Sequence, residues 1–284
     1  VEHKINGSTK LYGIIGYPVS HSLSPRMQNS AFESAAVNAV YLPFEVKPDA
    51  LGEAVTALKV LGIQGFNVTI PHKTAIIPFL DSLDATAEVA GAVNTVKLIN
   101  GALVGYNTDG DGLILSLARE CSFEPGDKQV LMYGAGGAAR GAAAALCRAG
   151  VRGITVVNRT IETASELVSF LSDRYPKTVL SVVTSPEMLT SSIGSVDLLL
   201  NTTSLGMKNE QLPWLKLDNL KSSAIVYDMV YSPAKTPLLL HAERLSLCCS
   251  NGLGMLVSQG ELAFTKWTGL SPAPDCMRHA LELV

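Results

Sequence analysis

The 284-residue chain is short of the residues that build metal centres and disulfide frameworks. Its five cysteines (Cys121, Cys147, Cys248, Cys249 and Cys276) form no CxxC pair and no ladder, which excludes a disulfide scaffold. The five histidines are scattered, without an HExxH string or a Cys/His grouping, so no metal is expected. Positive charge is not in excess either. Lys and Arg number 22 against 25 Asp and Glu, a formal net charge of −3, which leaves no footprint for nucleic acid. No apolar run approaches the length that spans a bilayer, and no charged-plus-apolar leader precedes the first expected strand. With 47% apolar and 17% charged residues, burial is ample and wholesale disorder is excluded. The expectation is a reduced, soluble, cytoplasmic protein with no nucleic-acid or membrane partner, long enough for two domains.

What the chain does contain is an alternation of apolar β-rich runs with longer helical patterns, the signature of parallel α/β layers. LYGIIG (11–16) reads as a strand and SPRMQNSAFESAAV (24–37) as a helix, with Ser24 as N-cap and Pro25 at the first helical position. AVYLPFEV, DALGEAVTALKVL and IQGFNVTI continue as strand, helix and strand, and SLDATAEVAGA reads as helical. The Asn-Gly of VKLINGALVGY predicts a turn between two short strands. Near residue 125 the turn-rich SFEPGD suits a domain boundary, after which the alternation restarts. Past GITVVNRT and the strands SVDLLLNTTS and SAIVYDMVY, GLGMLVSQGELAFTKWTG is a helix too well patterned to be a tail.

YGAGGAAR places Gly134, Gly136 and Ala139 in a GxGxxA arrangement between a clear strand and a clear helix. The first glycine permits a tight turn, the second lets backbone approach a pyrophosphate, and the small third residue lets helix and strand pack closely. The helix N-terminus then offers N–H groups and a favourable dipole to phosphate. The alternative is a glycine turn that serves packing alone. An NAD site usually has a carboxylate at the end of the next strand, but here the chain reads Asn158-Arg159-Thr160. A guanidinium with two neutral hydrogen-bonding groups suits a 2′-phosphate, so NADP is preferred, unless Arg159 is an ordinary surface arginine. Arg140, on the opening turn of the same helix, is a further candidate for that phosphate.

NVTIPHK (67–73) delivers a lysine where a β-prone run ends at Pro71, and taken alone Lys73 reads as a solvated surface charge. The wider context changes that reading. GYPVSHSLSP (16–25), GFNVTIPHK (65–73), GAVNTV (91–96), GYNTDGDG (105–112), GAGGAAR (134–140), NRT (158–160), NTTSLGM (201–207), YDMVY (227–231) and NGLGMLVSQG (251–260) together resemble the shikimate dehydrogenase family over nearly the whole chain. The resemblance implies an N-terminal α/β substrate domain over 1–115, completed by 253–284, and a Rossmann NADP-binding domain over 116–252. The C-terminal helices would pack back on the substrate domain, and the active site would lie in the cleft between domains. The implied activity is NADPH-dependent reduction of 3-dehydroshikimate to shikimate, on the route to chorismate and the aromatic amino acids, by a monomer or homodimer.

Hydride addition to a ketone leaves an alkoxide that must be stabilised and protonated, so the site needs a donor with a neighbour to hold it. Lys73 and Asp109 match the family's lysine–aspartate pair; without the resemblance they would read as a surface salt bridge. By resemblance, Ser22, Ser24 and Tyr231 hold the substrate carboxylate, while Thr69, Asn94 and Gln259 take ring hydroxyls alongside Lys73 and Asp109. Spacing alone would make Ser24 a cap, Thr69 a strand residue and Gln259 a polar helix residue. The cofactor set is Gly134, Ala135, Gly136, Gly137, Ala138, Asn158, Arg159 and Thr160, with Met229 and Gly252 near the nicotinamide by resemblance. Thr202 and Thr203 begin a loop that approaches the cofactor. Asn67 and Asn107 are expected to tie loops to backbone, and His72 and His21 to be structural. Some relatives carry a polar residue near Ala85 that touches the cofactor, a contact alanine cannot make. Two other readings stand beside this one. A quinate/shikimate dehydrogenase would accept an extra hydroxyl and often use NAD, which Asn158-Arg159-Thr160 opposes. A catalytically inactive ligand-sensing homologue should have lost Lys73 or Asp109, and both are present.

Overall fold

The computed structural model describes residues 5–282, so 1–4 and 283–284 of the expected domain ranges lie outside them. The chain divides into two compact units, one running to Thr108 and resuming at Val257, the other spanning Asp109–Leu256.

The first unit begins with β1 (Lys10–Gly16), α1 (Ser24–Ser34), β2 (Ala39–Glu45), α2 (Leu51–Val60), β3 (Gly65–Val68) and the single turn α3 (His72–Ala75). It continues with β4 (Ser82–Leu83), α4 (Ala85–Ala90), β5 (Thr95–Ile99) and β6 (Ala102–Tyr106). The strands form one six-stranded sheet in the order β2-β1-β3-β5-β6-β4. β1 runs parallel to β2 and β3, but β5 is antiparallel to both β3 and β6, so the sheet is mixed where the alternation predicts parallel layers. For β5 and β6 the cause is the predicted Asn-Gly turn. Asn100 and Gly101 stand at φ 50° and 83°, a two-residue reversal that leaves no room for a crossover helix.

Two predicted helices start or stop elsewhere. In SLDATAEVAGA, Ser82 and Leu83 pair with β6, and the helix begins only after Asp84, whose carboxylate accepts the Thr86 N–H at 2.9 Å. In α1, Leu23 takes the cap position and Ser24 is already helical, so the predicted Ser24 cap is corrected by one residue. Ser22 Oγ instead accepts the Ser24 N–H at 3.3 Å. The helix also ends at Ser34, short of the predicted Val37, because Ala36 turns to φ 52°.

The second unit comprises α5 (Asp109–Cys121), β7 (Gln129–Tyr133), α6 (Gly137–Arg148), β8 (Gly153–Val157), α7 (Ile161–Ser172) and β9 (Val179–Val182). Then come α8 (Pro186–Ser192), β10 (Leu198–Asn201), β11 (Ile225–Asp228), α9 (Pro237–Arg244) and β12 (Cys248–Asn251). Its strands lie in the order β12-β11-β10-β7-β8-β9, and every pairing is parallel. This is a doubly wound Rossmann sheet, with its switch point between β7 and β10.

The chain returns to the first unit within α10 (Leu253–Thr268) and ends in α11 (Cys276–Glu282). Residues from Val257 onward group with that unit. Phe264 and Trp267 of α10 join Phe32 of α1, Tyr12 of β1 and Tyr41 of β2, with ring centroids 4.8–6.0 Å apart. Trp267 Nε1 donates to the Val96 carbonyl at 2.9 Å, and Gln28 Nε2 to the Gly260 carbonyl at 3.0 Å. Among the described residues no helix is long and apolar enough to cross a membrane.

Because Trp267 fills the centre of this aromatic layer, Trp267→Ala is expected to cost about 3–5 kcal/mol through the cavity it leaves. Trp267→Phe should cost about 1–2 kcal/mol, since the indole N–H bond to the Val96 carbonyl is lost. Thermal unfolding midpoints of both variants against the parent check the order.

Candidate active site

The C-terminal edge of β1 and β3 and the start of β5 meet on one side of the first sheet, and a buried carboxamide links them. Asn94, 3% exposed, accepts at Oδ1 from the Thr108 N–H (2.8 Å) and from Thr95 Oγ1 (2.9 Å). Its Nδ2 donates to Thr108 Oγ1 at 2.9 Å. Its own carbonyl accepts the Val68 N–H (2.9 Å) and Asn67 Nδ2 (3.0 Å). One residue earlier, the Val93 N–H donates to the Lys73 carbonyl at 2.7 Å. The segments NVTIPHK, GAVNT and YNT are therefore stitched together around Asn94. Lys73 is held at the level of its backbone, and Thr108, the covalent neighbour of Asp109, is fixed by both backbone and side chain.

The other expected residues of this unit lie at α1, just past β3 and on α10. Ser24 is buried in the first turn of α1, with its hydroxyl near the Tyr41 phenol. Tyr41 in turn donates to Asn67 Oδ1 at 2.6 Å. Burial pushes the Tyr41 phenol well above its usual range, so it stays protonated and remains the donor to Asn67. Ser22 is half-buried two residues earlier, and Thr69 is half-buried just past β3. Gln259 lies half-buried on α10, next to Gly260 and its bond from Gln28. His72 is 1% exposed, and its Nε2 donates to the Val46 carbonyl at 2.7 Å, which makes it a tie between α3 and the segment after β2. Asn107 likewise donates Nδ2 to the Ala92 carbonyl at 2.9 Å, and His21 is exposed.

In the second unit, Asp109 opens α5, half-buried, with Asp111 in the same first turn, where the helix dipole favours negative charge. Met229 and Gly252 come together at the adjacent ends of β11 and β12. A Cβ on Gly252 would overlap the Met229 carbonyl, so only glycine permits that approach. Tyr231 retains 36% exposure, and desolvation raises its phenol pKa, which keeps it a donor at neutral pH. Sequence reasoning missed the group that organises this end. Asp228, fully buried, accepts Asn201 Nδ2 (2.8 Å) and the Val230 N–H (3.0 Å) at Oδ1, and Thr236 Oγ1 (2.6 Å) at Oδ2. It thereby fixes the loops that follow β10 and β11.

The glycine turn lies at the switch point. Gly134 stands at φ 108°, its N–H bonded to the Val157 carbonyl at 2.8 Å, and a Cβ there would overlap Thr202 Oγ1. Thr202 is held in place by its own bond to the Tyr133 carbonyl (2.6 Å). Ala135 is buried, Gly136 takes the cap position of α6 without any side-chain cap, and Gly137 and Ala138 start the exposed first turn. The helix N-terminus is thus left open to an anionic group.

Beside it, Asn158, Arg159 and Thr160 line a cavity of about 660 Å³ together with Thr203. Asn158 Nδ2 donates to the Thr160 carbonyl at 2.8 Å, and Arg159 is exposed. Arg140, by contrast, lays its guanidinium 3.8 Å from the centroid of Phe170, which Arg174 also covers. Desolvation and the Arg174 charge hold Arg140 below its usual pKa. Tyr133, Gln211, Pro213 and Trp214 also line the cavity and were not foreseen, because QLPW carries no glycine or charge signal.

A doubly wound parallel sheet with an open glycine turn at its switch point defines a nucleotide-binding α/β unit of the dehydrogenase type, here joined to a second α/β unit. Models for the shikimate dehydrogenase substrate-binding domain, for shikimate/quinate 5-dehydrogenase and for the shikimate 5′-dehydrogenase C-terminal domain match residues 14–96, 116–218 and 252–282. The chain belongs to the shikimate dehydrogenase family. It is 47% identical over 276 residues to the NADP(+) shikimate dehydrogenase of Geobacter metallireducens, covering 97% of this chain and 96% of that protein. Among solved structures, it is similar to the Listeria monocytogenes shikimate 5-dehydrogenase in complex with shikimate and NAD, at a TM-score of 0.92 and 36% identity, covering 99% of each chain. It is similar too to the Thermus thermophilus enzyme in complex with NADP(H) and shikimate, at a TM-score of 0.86 and 33% identity, covering 97% of this chain and 99% of that one.

Asp228 gives a pH test. Burial raises its pKa in the folded state, so its contribution to stability is fully present below the unfolded value and is lost as pH rises through the folded one. Asp228→Asn keeps an acceptor but cannot ionise. Its stability relative to the parent should therefore improve from pH 4 to pH 7, read from thermal midpoints across that range.

Proposed function

We propose that this chain catalyses the NADPH-dependent, reversible reduction of 3-dehydroshikimate to shikimate, with Lys73 and Asp109 as its proton-transfer pair. The observation that carries the assignment is the Asn94 network, which fixes the backbone of Lys73 and the residue before Asp109. The second unit fits a dinucleotide phosphate. Gly134 clears the turn, the N-terminus of α6 is open, and Arg159 lines the neighbouring cavity. Gly134, Ala135, Gly136, Gly137 and Ala138 would hold the pyrophosphate, Asn158, Arg159 and Thr160 the 2′-phosphate, and Met229 and Gly252 the nicotinamide end. When bound, NADPH supplies the hydride.

The chain's own residues then handle substrate and proton. Lys73 donates a proton to the oxygen that gains charge at the reacting carbon, and Asp109 orients Lys73 and that oxygen. Ser22, Ser24 and the protonated Tyr231 phenol take the substrate carboxylate, while Thr69, Asn94 and Gln259 take ring hydroxyls. The domains of this reading are 1–115 with 253–284 for substrate and 116–252 for cofactor. We place the enzyme in the cytoplasm, as a monomer or homodimer, at a step toward the aromatic amino acids.

Lys73→Met and Asp109→Asn should each lower kcat by about 100-fold or more with thermal midpoints near the parent's. Turnover close to the parent's in a folded Lys73→Met would sink the assignment. Paired rate assays with shikimate or quinate, each with NADP+ or NAD+, should give the highest kcat/KM for shikimate with NADP+. Equal or better rates with quinate would overturn the choice of substrate.

A further inference from the structure

The cavity beside Asn158, Arg159 and Thr160 has a wall that phosphate recognition leaves unexplained. Trp214 lines it with its backbone at φ 63°, a left-handed conformation that a bulky residue keeps only when its surroundings impose it. The imposition is visible in the segment around it. Tyr133, 2% exposed at the end of β7, donates its phenol hydrogen to the Pro213 carbonyl at 3.1 Å. Leu212 and Leu215 pack into the core of the unit. The backbone is pinned, yet Trp214 remains 46% exposed, whereas Trp267, the chain's other tryptophan, is 6% exposed. An aromatic surface held open by fixed backbone has the properties of a platform for another ring.

The rest of the cavity narrows what that ring can be. Arg159 supplies a cation, and Asn158 and Thr160 supply neutral polar groups, a set suited to a phosphorylated ribose. An indole in the same cavity suits a planar heteroaromatic base, because stacking needs only a π-face. Adenosine 2′-phosphate joins the two. We propose that Trp214 is the stacking platform for the adenine of NADP(H), a role that rests on the reading of the second unit as the NADP site. Trp214 then contributes cofactor affinity from the end of the molecule farthest from the chemistry.

Calorimetry with 2′,5′-ADP reads that end alone, without turnover. Trp214→Ala should weaken its Kd about 10-fold or more, within the span of base–aromatic stacking measured by alanine substitution. Trp214→Phe should bind within about threefold of the parent, since the platform is kept. Tryptophan fluorescence should be quenched by 2′,5′-ADP in the parent and unaffected in Trp214→Phe. In kinetics, Trp214→Ala should raise KM for NADP+ more than it lowers kcat. Arg159→Ala serves as the control for the phosphate. If Arg159→Ala weakens binding while a folded Trp214→Ala binds like the parent, the platform is overturned and the NADP site stands. If the parent itself does not bind 2′,5′-ADP, both are overturned.

Discussion

The buried carboxamide of Asn94 is the constraint on which the first unit's site depends. Strand edges normally end in loops whose backbone groups find water, but here three loops meet below the surface and their polar groups must be satisfied inside. One amide does most of this, through its side chain to Thr108 and Thr95 and through its carbonyl to Val68 and Asn67. Because each partner is already satisfied, a shift of any one segment would orphan a group on another. A network of this kind holds its members in one arrangement rather than a range of them. The backbone of Lys73 is tied into the same arrangement through its carbonyl, which accepts the Val93 N–H.

The second unit solves the same problem with a charge. Asp228 plays the part of Asn94, binding the loops after β10 and β11 through three accepted hydrogen bonds, with burial opposing its ionisation. Around it, close backbone approach replaces side-chain filling, as at Gly252 against Met229 and Gly134 against Thr202. In both units these buried polar anchors, Asn94 and Asp228, lie at strand ends, while the sheet faces are packed with aliphatic and aromatic residues. This separation leaves the cores to supply stability and the edges to supply geometry.

Much of the fold is legible in local sequence, because strand and helix periods, the Asn100–Gly101 turn and the glycine loop are all short-range signals. The failures have two origins, one long-range and one local. Ser82 and Leu83 pair with β6, a partner distant in sequence, and Leu23 displaces Ser24 from the cap because Ser22 already serves the Ser24 N–H. At the site, residue spacing could not have singled out Lys73, Asn94 or Gln259; resemblance to a family was needed to select them from many polar residues. Asp228 and Trp214 escaped both routes. A buried aspartate within an apolar strand and a tryptophan in a polar loop gain meaning only from what the fold places around them.

The first unit is discontinuous in sequence, and that has a consequence for how it is made. Trp267 and Phe264, which close one face of its sheet, belong to a segment translated after all of Asp109–Leu256. At roughly 5–20 residues per second, synthesis of that insertion lasts between about 7 and 30 s. Throughout that interval Tyr12, Phe32 and Tyr41 lack the rings that cover them in the finished molecule. The second unit, continuous in sequence, has no such wait. On the ribosome the residues of the second unit are therefore complete before those of the first, the reverse of the order in which their synthesis begins.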